Sequence, residues 1–168
     1  MKKSVIAFVG GLLLLPLAGI AAAWLGLWPL RATSAPSRWK TAFAERTLRA
    51  SLARYTVDLK NPVTVSDETI LAGMKIFRTN CAGCHGEFGH LSHWGTRGFY
   101  PRVPQFADAL PSLTAPEMFF VVKNGIRYTG MGAWDGMLSD VEIWQVVTFL
   151  NNLKSLPEPV AAEWKMKR

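Results

Sequence analysis

The sequence predicts an all-α fold, and three observations predict it. Two S/T-x-x-E capping boxes, Thr114-Ala115-Pro116-Glu117 and Ser139-Asp140-Val141-Glu142, each open an apolar stretch with helical spacing. Ile70, Met74 and Phe77 recur on one helical face behind Ser66, a residue suited to capping free N–H groups. No alternating β-α-β pattern surrounds the two cysteines.

The chain begins with Lys2 and Lys3, then runs from Val5 to Leu30 through 26 positions without a charge. A helix over that run would reach about 39 Å, more than the ~30 Å hydrocarbon core, with room for tilt or a kink at Pro16. A cleaved signal peptide is the competing reading, with Ala21-Ala22-Ala23 as the cleavage site. Its apolar region would stop after about 15 residues. Here Trp24, Leu25, Leu27, Trp28 and Leu30 continue the run, which favours a retained transmembrane helix with its tryptophans at interfacial depth.

The formal charge of +7 is concentrated at the front. Residues 1–60 hold nine Lys/Arg against Glu45 and Asp58, whereas residues 61–168 hold ten of each sign. A globular part without net charge has no basic face for nucleic acid, and basic residues near a membrane are drawn to anionic headgroups. Between Ser37 and Tyr55, apolar Trp39, Phe43, Leu48, Leu52 and Tyr55 interleave with Arg38, Lys40, Arg46, Arg49 and Arg54, the pattern of a basic amphipathic helix. Such a helix is an arm packed on the body, a solvated spacer, or a surface for membrane or partner. The chain thus divides into an anchor (1–30), a basic amphipathic connector (31–64), a helical domain (65–156) and a charged C-terminal tail (157–168).

The helix begun at Ser66 runs into Cys81-Ala82-Gly83-Cys84-His85, and Gly73 on its apolar side lets another helix approach closely. Cys81 and Cys84 are the only cysteines, so no disulfide framework exists. The sequence C-x-x-C-H is the attachment pattern of a covalent haem: two thiols on one turn reach the two vinyl groups of a porphyrin, and the following histidine faces the iron. A zinc site lacks a second cysteine pair, and a thioredoxin-like dithiol lacks its β-α-β surroundings.

The sixth iron position has several candidates. Met74 and Met118 lie on packing faces, and Met166 is in the charged tail. Met137 precedes the Ser139 cap and is expected to pack there as a staple. Met131, flanked by Gly130 and Gly132, is the better placed. His90 and His93 follow His85 too closely to wrap to the opposite face and read as exposed loop residues. The final helix carries Ile143, Trp144, Val147, Phe149, Leu150 and Leu153 and ends before Pro157, with Trp144, Val147 and Leu150 expected to cover Gly73 and Phe77.

Residues 65–156 resemble a class I c-type cytochrome domain, within it the membrane-anchored monohaem group related to cytochrome subunits of terminal oxidases. The resemblance rests on the attachment motif, Tyr100-Pro101-Arg102-Val103-Pro104, and Gly130-Met131-Gly132-Ala133-Trp134. It implies a small α-helical fold with crossed first and last helices around one haem c. His85 and Met131 would be the axial ligands of its iron, with Trp134 beside it and a Pro101 or Pro104 carbonyl accepting the His85 Nδ1 proton. Gly132 and Val103 depart from the prolines usual in that group. Arg102, Arg127 and Tyr128 are candidates for haem propionates or for a solvated surface. Such a domain carries single electrons between redox protein partners without turnover of its own. Alternatives are a haem enzyme or sensor with a labile sixth ligand, and a haem-bearing subunit of a larger oxidoreductase. Export before haem attachment would put the domain on the periplasmic face of the cytoplasmic membrane, although the basic residues following the anchor favour the opposite side by the positive-inside rule.

Overall fold

A computed structural model describes residues 2–28, 31–106 and 112–166, with side chains from Gly10 onward. The chain forms two compact units, Met1–Ser34 and Ala35–Arg168. The first is helix α1 (Lys2–Trp24), with Pro16 inside it. It ends because Gly26 takes φ +71°, so that Gly26 N–H donates to Ala23 O at 3.1 Å and Leu27 N–H to Ala22 O at 2.9 Å, a Schellman closure. The helix expected through Leu30 therefore stops at Trp24, and Leu30 itself lies outside the described residues. Among the described residues no helix is long and apolar enough to cross a membrane; the anchor assigned to 1–30 falls partly on side chains outside them.

The second unit holds α2 (Arg38–Tyr55), α3 (Asp67–Asn80), α4 (Ala82–His85), α5 (His93–Arg97), α6 (Ala115–Asn124), α7 (Asp140–Asn152) and α8 (Glu158–Lys165). No strand occurs among the described residues, only isolated bridges at Glu87–His90 and Asp135–Leu138. Its core is the packing of α3 on α7. Ile70, Met74 and Phe77 meet Ile143, Val146, Val147, Phe149 and Leu150 in one buried cluster. A Cβ at Gly73 would run into the Gln145 carbonyl, so the two backbones touch there and only glycine permits it. The partner of Gly73 is thus the Gln145–Val146 backbone, and Phe77 tilts against Phe149 at 5.6 Å. Trp144, Val147 and Leu150, expected to cover them, all lie in this cluster, and Trp144 also stacks on Phe119 of α6 at 4.3 Å.

Both capping boxes form. The Glu117 carboxylate accepts from the Thr114 backbone N–H at 2.8 Å, and the Glu142 carboxylate accepts from Ser139 N–H at 2.8 Å. These contacts hold the Glu142 carboxyl below its usual range. Leu138, not Met137, packs against the core in front of the second cap; Met137 is exposed because Gly136, at φ +77°, turns the chain before it.

Two segments outside residues 65–156 pack on the body: α2, for which an arm on the body was one expectation, and the C-terminal segment. In α2, Leu52 is buried, Tyr55 stacks on Phe120 of α6 at 5.6 Å, and the Thr41 and Tyr100 hydroxyls lie 3.3 Å apart. Residues 157–168, read as a charged tail, contain α8, which inserts Val160 and Trp164 into the core. Trp164 meets Phe77 and Phe149 edge-on at 5.9 and 5.1 Å. Arg78, almost fully buried, donates to Trp164 O at 2.6 Å and Met166 O at 3.1 Å and pairs with Glu87 at 3.1 Å. Charge at the exposed positions of this segment concealed a two-residue apolar anchor. Trp164→Ala is therefore expected to lower unfolding free energy by about 3–5 kcal/mol in chemical denaturation of the haem-loaded protein. A solvated tail would give no change.

Candidate functional site

Ser66 starts α3 by accepting Thr69 N–H at 3.2 Å, and Asp67 and Glu68 occupy the first turn, where the helix dipole favours them. The helix ends with Cys81 N–H donating to Phe77 O at 2.8 Å, and the chain winds at once into the single turn α4. Gly86, at φ +71°, stops that turn. The α3–α7 contact thus sets where the two cysteines and His85 stand.

The turn is then held by its carbonyl groups. Ser92 Oγ donates to Gly83 O at 2.6 Å, Gln105 Nε2 to Cys84 O at 2.9 Å, and Phe106 N–H to His85 O at 2.9 Å. Gln105 does more: its Oε1 accepts Ser92 N–H at 2.7 Å and its Nε2 also donates to Val103 O at 3.0 Å. Gly95 lies flush against the Cys84 carbonyl, leaving no space for a side chain. One glutamine therefore ties the motif, the α5 cap and the 103–106 segment together.

That segment also orients the imidazole. His85 Nδ1 donates to Pro104 O at 2.9 Å, since a carbonyl can only accept. The ring stacks on Phe106 at 4.6 Å with planes 7° apart. Burial pushes the His85 pKa down, and the bond to Pro104 opposes it more weakly. A neutral imidazole with Nδ1 committed leaves Nε2 free as a metal ligand. Neither cysteine is in a disulfide, and both are half-buried. Burial, then Cys84 beside it, pushes the Cys81 thiol up to about 12.

Met131 sits half-buried against the core in a closed loop. Ile126 N–H donates to Met131 O at 2.9 Å, Met131 N–H to Thr129 Oγ1 at 3.1 Å, and Thr129 Oγ1 to Ile126 O at 2.8 Å. Gly125, at φ +69°, ends α6 and lies against the Met131–Ala133 backbone. Trp134, also half-buried against the core, donates its backbone N–H to Val122 O at 3.1 Å and fixes the loop's far end. The Phe99 ring leaves no room for a side chain at Gly130, so the two loops meet there.

The remaining predicted residues lie apart from this arrangement. Pro101, after a cis peptide bond, does not contact His85 through its carbonyl; Pro104 does. Arg102 is exposed and donates to Arg97 O at 2.7 Å and Phe99 O at 3.0 Å, bracing its own loop. Tyr128 is 93% exposed at φ 62°, and Arg127 is exposed. His90 and His93 are exposed. Among the described residues no three His, Cys, Asp or Glu side chains converge as a metal site. The best-formed cleft, about 310 Å³ and lined by Phe106, Leu153, Leu156 and Trp164 among others, includes neither cysteine nor His85. Sequence reasoning missed Ser92, Gln105, Phe106 and Thr129, which act through contacts distant in the chain or through ordinary turn chemistry; no motif marks them.

Residues 68–150 match the family described as cytochrome c oxidase, cbb3-type, subunit III. They form a class I c-type cytochrome domain. The match spans α3 to most of α7 and leaves α1, α2 and α8 outside it. Among curated proteins none matches the chain. A cytochrome c domain carries covalently bound haem c with iron and serves haem-based electron transfer. The donor set fits this group: two cysteines on one turn outside any disulfide, and one imidazole nitrogen uncommitted beside them. Gln105→Leu in this cytochrome should cost about 1–3 kcal/mol, because Ser92 N–H and Cys84 O lose their partner. Denaturation of the haem-loaded variant measures it; an unchanged midpoint would assign those bonds no weight.

Proposed function

We propose that this protein is a membrane-anchored single-electron carrier whose one haem c is held by Cys81 and Cys84, with His85 and Met131 as axial ligands. The observation that carries it is the His85 Nδ1 bond to Pro104, which fixes the tautomer and aims Nε2 away from that bond. Bound haem c supplies a one-electron couple at its iron.

The chain's own residues bind and tune it. The three carbonyl contacts keep the attachment turn from relaxing, so ring and thiols hold one geometry. Pro104 raises imidazole basicity without giving it a charge to titrate. Met131, drawn in by Thr129 and Ile126, supports occupation of the sixth position by a neutral thioether, which leaves no opening for a substrate. Trp134 closes the loop that carries it. Among the described residues no nucleophile–base pair appears beside this set: Glu87 is committed to Arg78, and Asp135 lies 4.0 Å from Lys123.

The uncharged run from Val5 to Leu30 supports a transmembrane anchor, and covalent haem attachment after export puts the domain on the periplasmic face of the cytoplasmic membrane. Its partners are then redox proteins of the membrane or periplasm.

Met ligation is tested by the weak sulfur-to-iron charge-transfer band of the oxidised protein. The parent should show it and Met131→Ala should lose it, with a fall in reduction potential. A parent without the band would remove Met131 as ligand and favour an enzyme or sensor with an open sixth position.

A further inference from the structure

Among the described residues helix α2 packs mainly one of its faces on the cytochrome body, with Arg49 at the edge of the other reaching Ser112 Oγ at 3.5 Å. At 100° per residue, Leu52, Thr41, Leu48 and Tyr55 share the packed side, and they are the positions that are buried, half-buried or stacked on α6. The opposite side is not simply polar. Trp39, Phe43, Arg46 and Ala50 form a stripe down its centre, with Trp39 68% and Phe43 69% exposed. Arg38 and Arg49 flank it on one edge, Lys40 and Arg54 on the other; the single acidic residue, Glu45, falls toward the packed side.

Aromatic rings flush with arginines, on a helix already fixed by its other face, match the interface of an anionic bilayer. Rings of this size sit at headgroup depth, and cationic side chains gain from anionic lipid. The chain's layout keeps that surface within reach. The thirteen residues between Trp24 and Arg38 span at most about 45 Å. We propose that the outward face of α2, centred on Trp39, Phe43 and Arg46, beds into the anionic phospholipid headgroups beside the anchor.

This rests on α1 being the anchor, and it deepens that reading. A flexible tether leaves the cytochrome free to tumble, whereas a second contact, rigid with α6 through Tyr55 and Phe120, fixes which side of the haem domain faces away from the lipid. It also gives the basic residues after the anchor a role: they engage the headgroups of the leaflet they emerge from.

The test uses the full-length, haem-loaded protein with a nitroxide at Phe43→Cys or, separately, Trp39→Cys; the haem cysteines are thioethers, so only the introduced thiol reacts. Accessibility to a water-soluble nickel chelate is measured in phosphatidylcholine vesicles with and without phosphatidylglycerol. Both labels should become severalfold less accessible when phosphatidylglycerol is present, and Arg38→Glu with Arg46→Glu should restore access. Equal accessibility in both vesicles overturns the proposal, as does protection that requires an acidic redox protein instead. Flotation with neutral vesicles in high salt reads the anchor separately: failure there sinks the anchor while the label still reports on α2.

Discussion

Three carbonyl groups of the Cys81–His85 turn accept hydrogen bonds from outside it, and the geometry of the site depends on those contacts. Ser92, Gln105 and Phe106 hold Gly83, Cys84 and His85 by their backbone. A four-residue helix has no stability of its own, since nucleation costs more than one turn returns. The turn persists because α3 delivers it and the 92–106 segment receives it. Where α3 stands is set in turn by the backbone contact of Gly73 with α7. The placing of the turn therefore rests on a helix crossing eight residues before Cys81.

The division between what the sequence disclosed and what it withheld follows the range of the interactions. Local chemistry was readable: the Ser66 cap, both capping boxes, the close approach at Gly73, and the attachment motif are all written within a few residues. Contacts set by tertiary packing were not. Phe149 tilts against Phe77 and Trp144 stacks on Phe119, because rotation of α7 about its axis is fixed by α6 as well as α3. Met137 was expected to pack, yet the turn at Gly136 gave that place to Leu138. The C-terminal segment was read from its charges, whereas Val160 and Trp164 alone carry its burial. A choice between Pro101 and Pro104 could not be made from spacing, and only the fold brings the Pro104 carbonyl to His85. Gln105, the most connected side chain of the site, stands beside that proline without any motif to announce it.

Charge and chemistry are separated along the chain. Positive charge collects before residue 60, near the apolar N-terminal run, and the haem-binding part balances its acids and bases. Among the described residues Arg78 is a buried charge near the site, and its partners are Glu87 and the Trp164 and Met166 carbonyls. The two cysteines would be neutral thioethers once haem is attached, and the Met131 side chain proposed as the further ligand is neutral too. Haem c held there by Cys81, Cys84 and His85 would supply a one-electron couple among few protein charges, in keeping with electron transfer.

The most direct test of this account is exposure of the reduced, haem-loaded full-length protein to carbon monoxide, beside a redox titration followed in the visible. A filled sixth position predicts one reversible one-electron wave and no spectral change with carbon monoxide. Rapid carbon monoxide binding by the unaltered protein would show an open or labile iron and contradict its assignment as a dedicated electron carrier.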